Sequence, residues 1–73
     1  MKNRSSLILC IYEDDFRLIE LDKKNDNYII YIVDFLHGES SRLEFGNDLK
    51  LASETYKSKL IGYLALNEIV QRW

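Results

Sequence analysis

The chain has 73 residues, of which 47% are hydrophobic, and it contains no proline, three glycines and one cysteine. A chain of this length forms a single compact domain that buries only about 60% of the surface exposed by its unfolded form, so its own core is small. Ten basic and twelve acidic residues leave a net charge of −2, which excludes a strongly basic surface for phosphate backbones, and one cysteine excludes an intramolecular disulfide.

The N-terminal residues superficially resemble an export signal, because Lys2 and Arg4 precede an apolar run from Leu7 to Tyr12. The run is too short for a signal peptide and is followed at once by three acidic residues. No apolar stretch approaches the roughly 20 residues that are needed to cross a bilayer. The sequence therefore predicts a cytoplasmic protein that makes no membrane contact.

The first two predicted elements are β-strands over residues 7–12 and 16–22. The first strand is apolar on both of its alternating faces, and Cys10 within it is expected to be a buried structural thiol. A polar turn of acidic residues separates the two strands. The second strand alternates apolar and charged residues imperfectly, which favours a β-bulge there.

Residues 28–36 give the strongest strand signal, since all of them except Asp34 are apolar or aromatic and β-branched residues are frequent. Alternation places Tyr28, Ile30 and Ile32 on one side. Ile29, Tyr31, Val33 and Phe35 lie on the other side. Both faces of this third strand are therefore expected to need cover. After a polar turn, residues 42–45 alternate charged and apolar side chains, which suits a short edge strand.

A long C-terminal helix is predicted from about residue 49 to about residue 72. Gly46 and Asn47 end the sheet, and Asp48 offers a capping oxygen to the free amides of the helix. At about 100° per residue, one broad face is expected to cover the sheet. Its apolar members are Leu51, Ala52, Tyr56, Tyr63, Leu66, Ile69, Val70 and Trp73. Leu60, Ile61 and Leu64 are placed on the far side, as a separate apolar patch.

Together these elements predict one α+β domain over residues 1–73. Its architecture is a three- or four-stranded antiparallel β-meander followed by one long C-terminal helix packed on one sheet face. In such a two-layer domain the second sheet face normally turns polar residues to water. Here it is apolar as well, and unburied apolar side chains forfeit about 1.5–3 kcal/mol each. We therefore expect a second chain to supply the missing cover, with a homodimer as the simplest form.

No catalytic residue, metal ligand or cofactor is predicted. Cys10 lies within a strand and His37 begins a turn, so the chain lacks an activated nucleophile with its base. Asp34, His37 and Glu39 could converge near one turn, but too few His and Cys residues are present to complete a metal site. The glycines are too far apart for a phosphate-binding loop. The chain is therefore expected to be non-enzymatic.

The composition and the surplus of apolar surface favour a protein-binding module. A small, mildly acidic chain with little cysteine and much Ile, Lys and Asn fits an inhibitor or regulator that sterically occludes a larger protein, for example a phage or mobile-element anti-defence protein such as an anti-CRISPR. Apolar side chains would supply the affinity, and an acidic hairpin would steer the chain towards a basic surface. The predicted partner-binding residues are Leu60, Ile61, Leu64, Glu13, Asp14 and Asp15.

A dimeric single-stranded nucleic-acid-binding protein is the alternative. Four strands followed by a helix are similar in outline to a family of dimeric single-strand binders, in which aromatic side chains of the strands would stack on bases. The aromatic candidates are Tyr12, Tyr28, Tyr31 and Phe35. Such grooves also need basic residues along the strands, and only Arg17 and Arg42 interrupt them. Another protein is therefore the expected partner, rather than a nucleic acid.

Overall fold

A computed structural model describes the backbone of residues 6–71 and the side chains of residues 6–66. The described backbone forms one antiparallel sheet of strand order β1-β2-β3-β4, followed by a helix. The strands are β1 (Ser6–Glu13), β2 (Arg17–Lys24), β3 (Asn27–Asp34) and β4 (Glu39–Glu44), and the helix α1 is Leu49–Gln71. The α+β meander with a C-terminal helix packed on the sheet is confirmed.

The turn between β2 and β3 is tighter than predicted. Both strands extend into residues 23–27, which lie between the two predicted strands, and Lys24 pairs directly with Asn27. Only two residues connect them, and Asn25 adopts a left-handed conformation with φ of 57°. Asparagine tolerates this region better than most residues with a Cβ atom. Asn25 and Asp26 therefore close a two-residue hairpin rather than a longer loop.

The third strand ends two residues earlier than predicted because Asp34 turns the chain. Its Oδ1 accepts the backbone N–H groups of Leu36 at 3.0 Å and His37 at 3.1 Å. An aspartate that binds amides two and three residues ahead replaces ladder hydrogen bonds with a turn. Gly38 then takes a φ of 67°. The prediction of strands over 28–36 and 42–45 was wrong at this junction, where β4 begins at Glu39.

A β-bulge interrupts β1, not β2 as predicted. The pairing register shifts between Ile8, which faces Asp22, and Cys10, which faces Leu21, so Leu9 is the extra residue. Residues three apart in a regular strand point to opposite faces. Because of the bulge, Ile8 and Ile11 instead lie on the same face of the sheet.

The core lies between α1 and the face of the sheet that we call the helix face. Ile19, Leu21 and Ile30 pack there against Ala52 and Tyr56 of the helix. Further side chains are half-buried around this cluster: Tyr12, Tyr28, Ile32, Phe45, Leu60 and Tyr63. The Tyr56 hydroxyl donates to the carbonyl oxygen of Ile19 at 3.4 Å. The cap was predicted correctly, because Asp48 Oδ1 accepts the N–H of Leu51 at 3.0 Å.

The buried stripe of α1 differs from the predicted one. Leu51 and Leu66 are about half exposed, whereas Leu60 packs partly against the core. Leu60 lies four residues after Tyr56 and therefore one turn further along the same stripe, while Leu51 is rotated by about 100° from Ala52. The other three predicted members, Ile69, Val70 and Trp73, lie outside the described side chains.

The third strand is better shielded than expected. Ile30 on the helix face is 0% exposed and Ile29 on the second face is 3% exposed. Because α1 packs over β2 and β3, the uncovered apolar side chains lie instead on an edge strand. The expected surplus of apolar surface therefore lies on β1, which was predicted to be apolar on both faces, and is smaller than expected on β3.

Candidate interaction surface

The edge strand β1 is the main uncovered apolar surface in the described part of the chain. Leu7 is 60% exposed, Ile8 and Ile11 are 55% exposed each, and Leu9 is 40% exposed. Cys10 is also exposed, so the prediction of a buried thiol was wrong. The physical reason is the placement of α1 over the two central strands, which leaves this edge without a lid. A run of exposed apolar side chains on an edge strand marks an interaction site or an aggregation hazard.

The acidic hairpin beside β1 divides into one structural residue and two exposed ones. Asp14 Oδ1 accepts the N–H groups of Phe16 at 2.8 Å and Arg17 at 2.9 Å, and its Oδ2 accepts the hydroxyl of Tyr12 at 2.8 Å. Burial by itself would raise the pKa of Asp14, but these hydrogen bonds outweigh it and hold the pKa below its usual value. Glu13 and Asp15 are exposed at the end of β1, where they can act on an approaching charge.

The predicted helix patch is reduced to two residues. Ile61 is 67% exposed and Leu64 is 46% exposed, whereas Leu60 belongs to the margin of the core. Three exposed leucine and isoleucine side chains were expected here, and the remaining pair is smaller than the surface on β1. Single exposed apolar residues are common on proteins, so this patch carries less weight than the strand.

The second face of the sheet, opposite α1, holds two adjacent carboxyl groups that the sequence analysis did not single out. Glu20 and Asp22 alternate with the core residues Ile19 and Leu21 and therefore share this face. Asp22 is only 8% exposed, and its Oδ1 is buried with no hydrogen-bond partner among the described groups. The spacing of two acidic residues on alternate positions of β2 was the available signal.

The carboxyl group of Glu20 holds its proton to a higher pH than an ordinary glutamate because Asp22 lies beside it. A hydrogen bond to Asp22, followed by burial and by the charge of Asp22, raises the pKa of Glu20 to about 7. Because this pKa lies above the unfolded value of 4.5, the folded state binds the proton more tightly. This stabilisation is complete below the unfolded pKa and is lost as the pH rises through about 7.

The aromatic residues of the strands do not form one continuous stacking surface. Tyr12 and Tyr28 pack against the core on the helix face, Tyr31 is half-buried on the second face, and Phe35 lies in the turn after β3. Two cations lie over tyrosine rings, with Arg17 at 4.6 Å from the centre of Tyr63 and Lys23 at 6.0 Å from that of Tyr28.

The residues considered as nucleophiles or metal ligands form only local contacts. His37 Nδ1 lies 2.8 Å from Asp34 Oδ2, and hydrogen bonds from His37 lower the pKa of Asp34. A shallow open cleft of about 210 Å³ lies nearby, lined by Ile32, Asp34, Glu39, Ser40 and Ser41; ligand sites are commonly larger, about 300–1,000 Å³. Among the described residues, no three His, Cys, Asp or Glu side chains come together as metal ligands.

Within the described residues, α1 does not have the combination of length and apolar character that a membrane-spanning helix requires. Comparisons of the chain with protein-family models, with curated proteins and with solved structures find no match.

Proposed function

We propose that this chain is a non-enzymatic protein-binding module, a small inhibitor or regulator that covers a surface of a larger protein with β1. The observation that carries the proposal is the run of exposed side chains from Leu7 to Ile11 on an open edge strand. Apolar side chains held on a sheet supply affinity without a large ordering cost. A role in a phage or mobile element, as an anti-CRISPR for example, stays a prediction from composition.

Two features favour a different protein over a second copy of this chain. The bulge at Leu9 interrupts the regular backbone ladder, which disfavours direct pairing of two β1 strands along their edges. Glu13 and Asp15 stand exposed at the end of the strand, and the chain's net charge is −2. Charge complementarity therefore favours a partner whose apolar surface is bordered by basic residues.

Affinity capture from the native cell, followed by mass spectrometry, tests the proposal with three proteins. They are the wild type, the double variant Ile8→Lys/Ile11→Lys, and the matched control Leu36→Lys, which places the same charge on a side chain that is 70% exposed in the β3–β4 turn. We expect the wild type and the control to capture the same protein and the double variant to lose it. Circular dichroism confirms that each variant is folded.

Two results would contradict the proposal. Retention of the same partner by the double variant would exclude β1 as the contact surface. A sedimentation mass of two chains for the wild type, reduced to one chain in the double variant, would identify a second copy as the occupant of β1. The proposal of a different protein target would then be wrong.

A further inference from the structure

The second face of the sheet places an acidic pair at the centre of an apolar surface. In the strand register, Glu20 lies between Ile11 and Tyr31, and Asp22 lies between Ile8 and Ile29. Asp22 is the buried member of the pair and Glu20 the more accessible one. A carboxylate surrounded by apolar side chains is costly unless a proton or a cation compensates its charge.

Among the described residues, the other charged groups on this face form no ion pair with Glu20 or Asp22. Arg42, beside Tyr31 on β4, forms an ion pair with Glu44. Lys24 follows Asp22 by two residues on β2 but is exposed and forms no ion pair among the described side chains. Glu13, at the end of β1, adds further negative charge. Within the described part of the chain, no ion pair therefore compensates the negative charge of the pair when Glu20 is ionised.

We propose that Glu20 and Asp22 receive an arginine side chain of the partner protein, with Glu20 in direct contact and Asp22 as the residue that positions it. This inference rests on the proposed function, since the arginine belongs to the protein that β1 contacts. Ile8 and Ile11 of β1 flank the pair on the same face, so one partner surface can contact both. The planar fork of a guanidinium suits two neighbouring carboxyl groups better than the point charge of an ammonium does.

Arginine binding replaces the proton on Glu20. Glu20 must release this proton to solvent before its carboxylate can accept two N–H bonds. The hydrogen bond to Asp22, the burial and the charge of Asp22 raise the pKa of Glu20 to about 7, so the ionised form is scarce at pH 6 and dominant at pH 8. Binding is therefore expected to be about tenfold tighter at pH 8 than at pH 6.

An NMR titration with acetyl-arginine amide tests the inference on the full chain. The neutral analogue acetyl-citrulline amide is the control ligand. We expect a saturable shift of the Glu20 side-chain carboxyl carbon at pH 8, about tenfold weaker binding at pH 6, and no saturation with the citrulline analogue. The variant Glu20→Gln should lose the binding, whereas Glu54→Gln, on an exposed position of α1, should keep it.

Asp22 has its own readout. In Asp22→Asn, the pKa of Glu20 should fall towards its ordinary value, because the charge of Asp22 that favours the protonated form is gone. Arginine binding at pH 8, where Glu20 is ionised in both proteins, should weaken, because a negative charge that attracts the guanidinium is lost. Unchanged titration of Glu20 in this variant would overturn the positioning role. Equal binding by wild type and Glu20→Gln, or no binding at pH 8, would overturn the whole inference.

Three further outcomes are informative, and the last two separate this inference from the proposed function. If arginine amide binds only after Lys2→Ala/Arg4→Ala, the chain's own basic residues occupy the pair and the inference is wrong. If Glu20→Gln captures the cellular partner as well as wild type does, while Ile8→Lys/Ile11→Lys loses it, only the arginine inference fails. Capture that is independent of β1 would instead defeat the proposed function, and the titration would still report on the pair.

Discussion

The helix packs over the two central strands of the sheet, and the two edge strands carry opposite kinds of side chain. Every residue of β4 is exposed, and its surface is formed mainly by Glu39, Ser40, Ser41, Arg42 and Glu44. Charged residues on an edge strand discourage pairing with other chains. Across the sheet, β1 exposes a run of apolar side chains with no charge between Ser6 and Tyr12. Edge strand β4 is therefore protected against pairing with other chains, whereas β1 is not. The small size of the chain alone does not explain the exposed apolar side chains of β1.

The bulge refines this comparison. It is a device that commonly protects edges, because it breaks the ladder that another strand would extend. In β1 it acts on the backbone alone, since Leu9 and its neighbours stay exposed. A strand that resists pairing while presenting apolar side chains is suited to contact through those side chains. Such a strand fits a complementary surface of a partner protein better than the edge of another sheet.

The largest expected effect tests where the core ends. Ile30 and Leu43 are cross-strand neighbours on β3 and β4, but Ile30 is 0% exposed and Leu43 is 37% exposed. Ile30→Ala should lower the free energy of unfolding by about 2–4 kcal/mol, because it removes buried methyl groups and leaves a cavity. Leu43→Ala should cost less than about 1.5 kcal/mol. Urea unfolding measures both, and equal losses would show that β4 belongs to the core and is not a free edge.

A smaller expected effect measures how much the turn between β1 and β2 contributes to the free energy of unfolding. Asp14→Ala removes the three hydrogen bonds that close the turn between β1 and β2, and we expect a loss of about 1–2 kcal/mol. Asp15→Ala, at an exposed neighbouring position, should change stability by less than about 0.5 kcal/mol. Because the pKa of Asp14 is lowered by folding, its contribution is present above the unfolded pKa and disappears as the pH falls through the folded value. Urea unfolding at pH 7 and pH 3 checks the sign; an identical loss at both pH values would contradict it.

The elements were predictable because their signals are local. The apolar and β-branched run of β3, the polar residues between the strands and the Asp48 cap each act within a few residues. The location of the interaction surface was not predictable from the sequence, because it depends on which strands α1 covers and on the one extra residue in β1. Counting by twos from Ile8 places Ile11 on the wrong face, and only the pairing register reveals the bulge. Glu20 and Asp22 were not predicted as site residues for a different reason. Their spacing can be read from the sequence, but the burial of Asp22 depends on the fold.

The smallest expected effect bears most directly on the contrast between the edges. Ile11→Thr keeps a β-branched residue suited to a strand and removes part of an exposed apolar side chain. Because Ile11 is 55% exposed, the free energy of unfolding should change by less than about 1 kcal/mol in urea, while the solubility of the chain rises. A loss above about 2 kcal/mol would mean that Ile11 is held inside the fold and that β1 offers no such surface. A change below about 1 kcal/mol would mean that folding does not require the Ile11 side chain. Because the opposite edge strand, β4, exposes mainly polar residues, an apolar side chain that does not stabilise the fold is then explained by contact with another molecule.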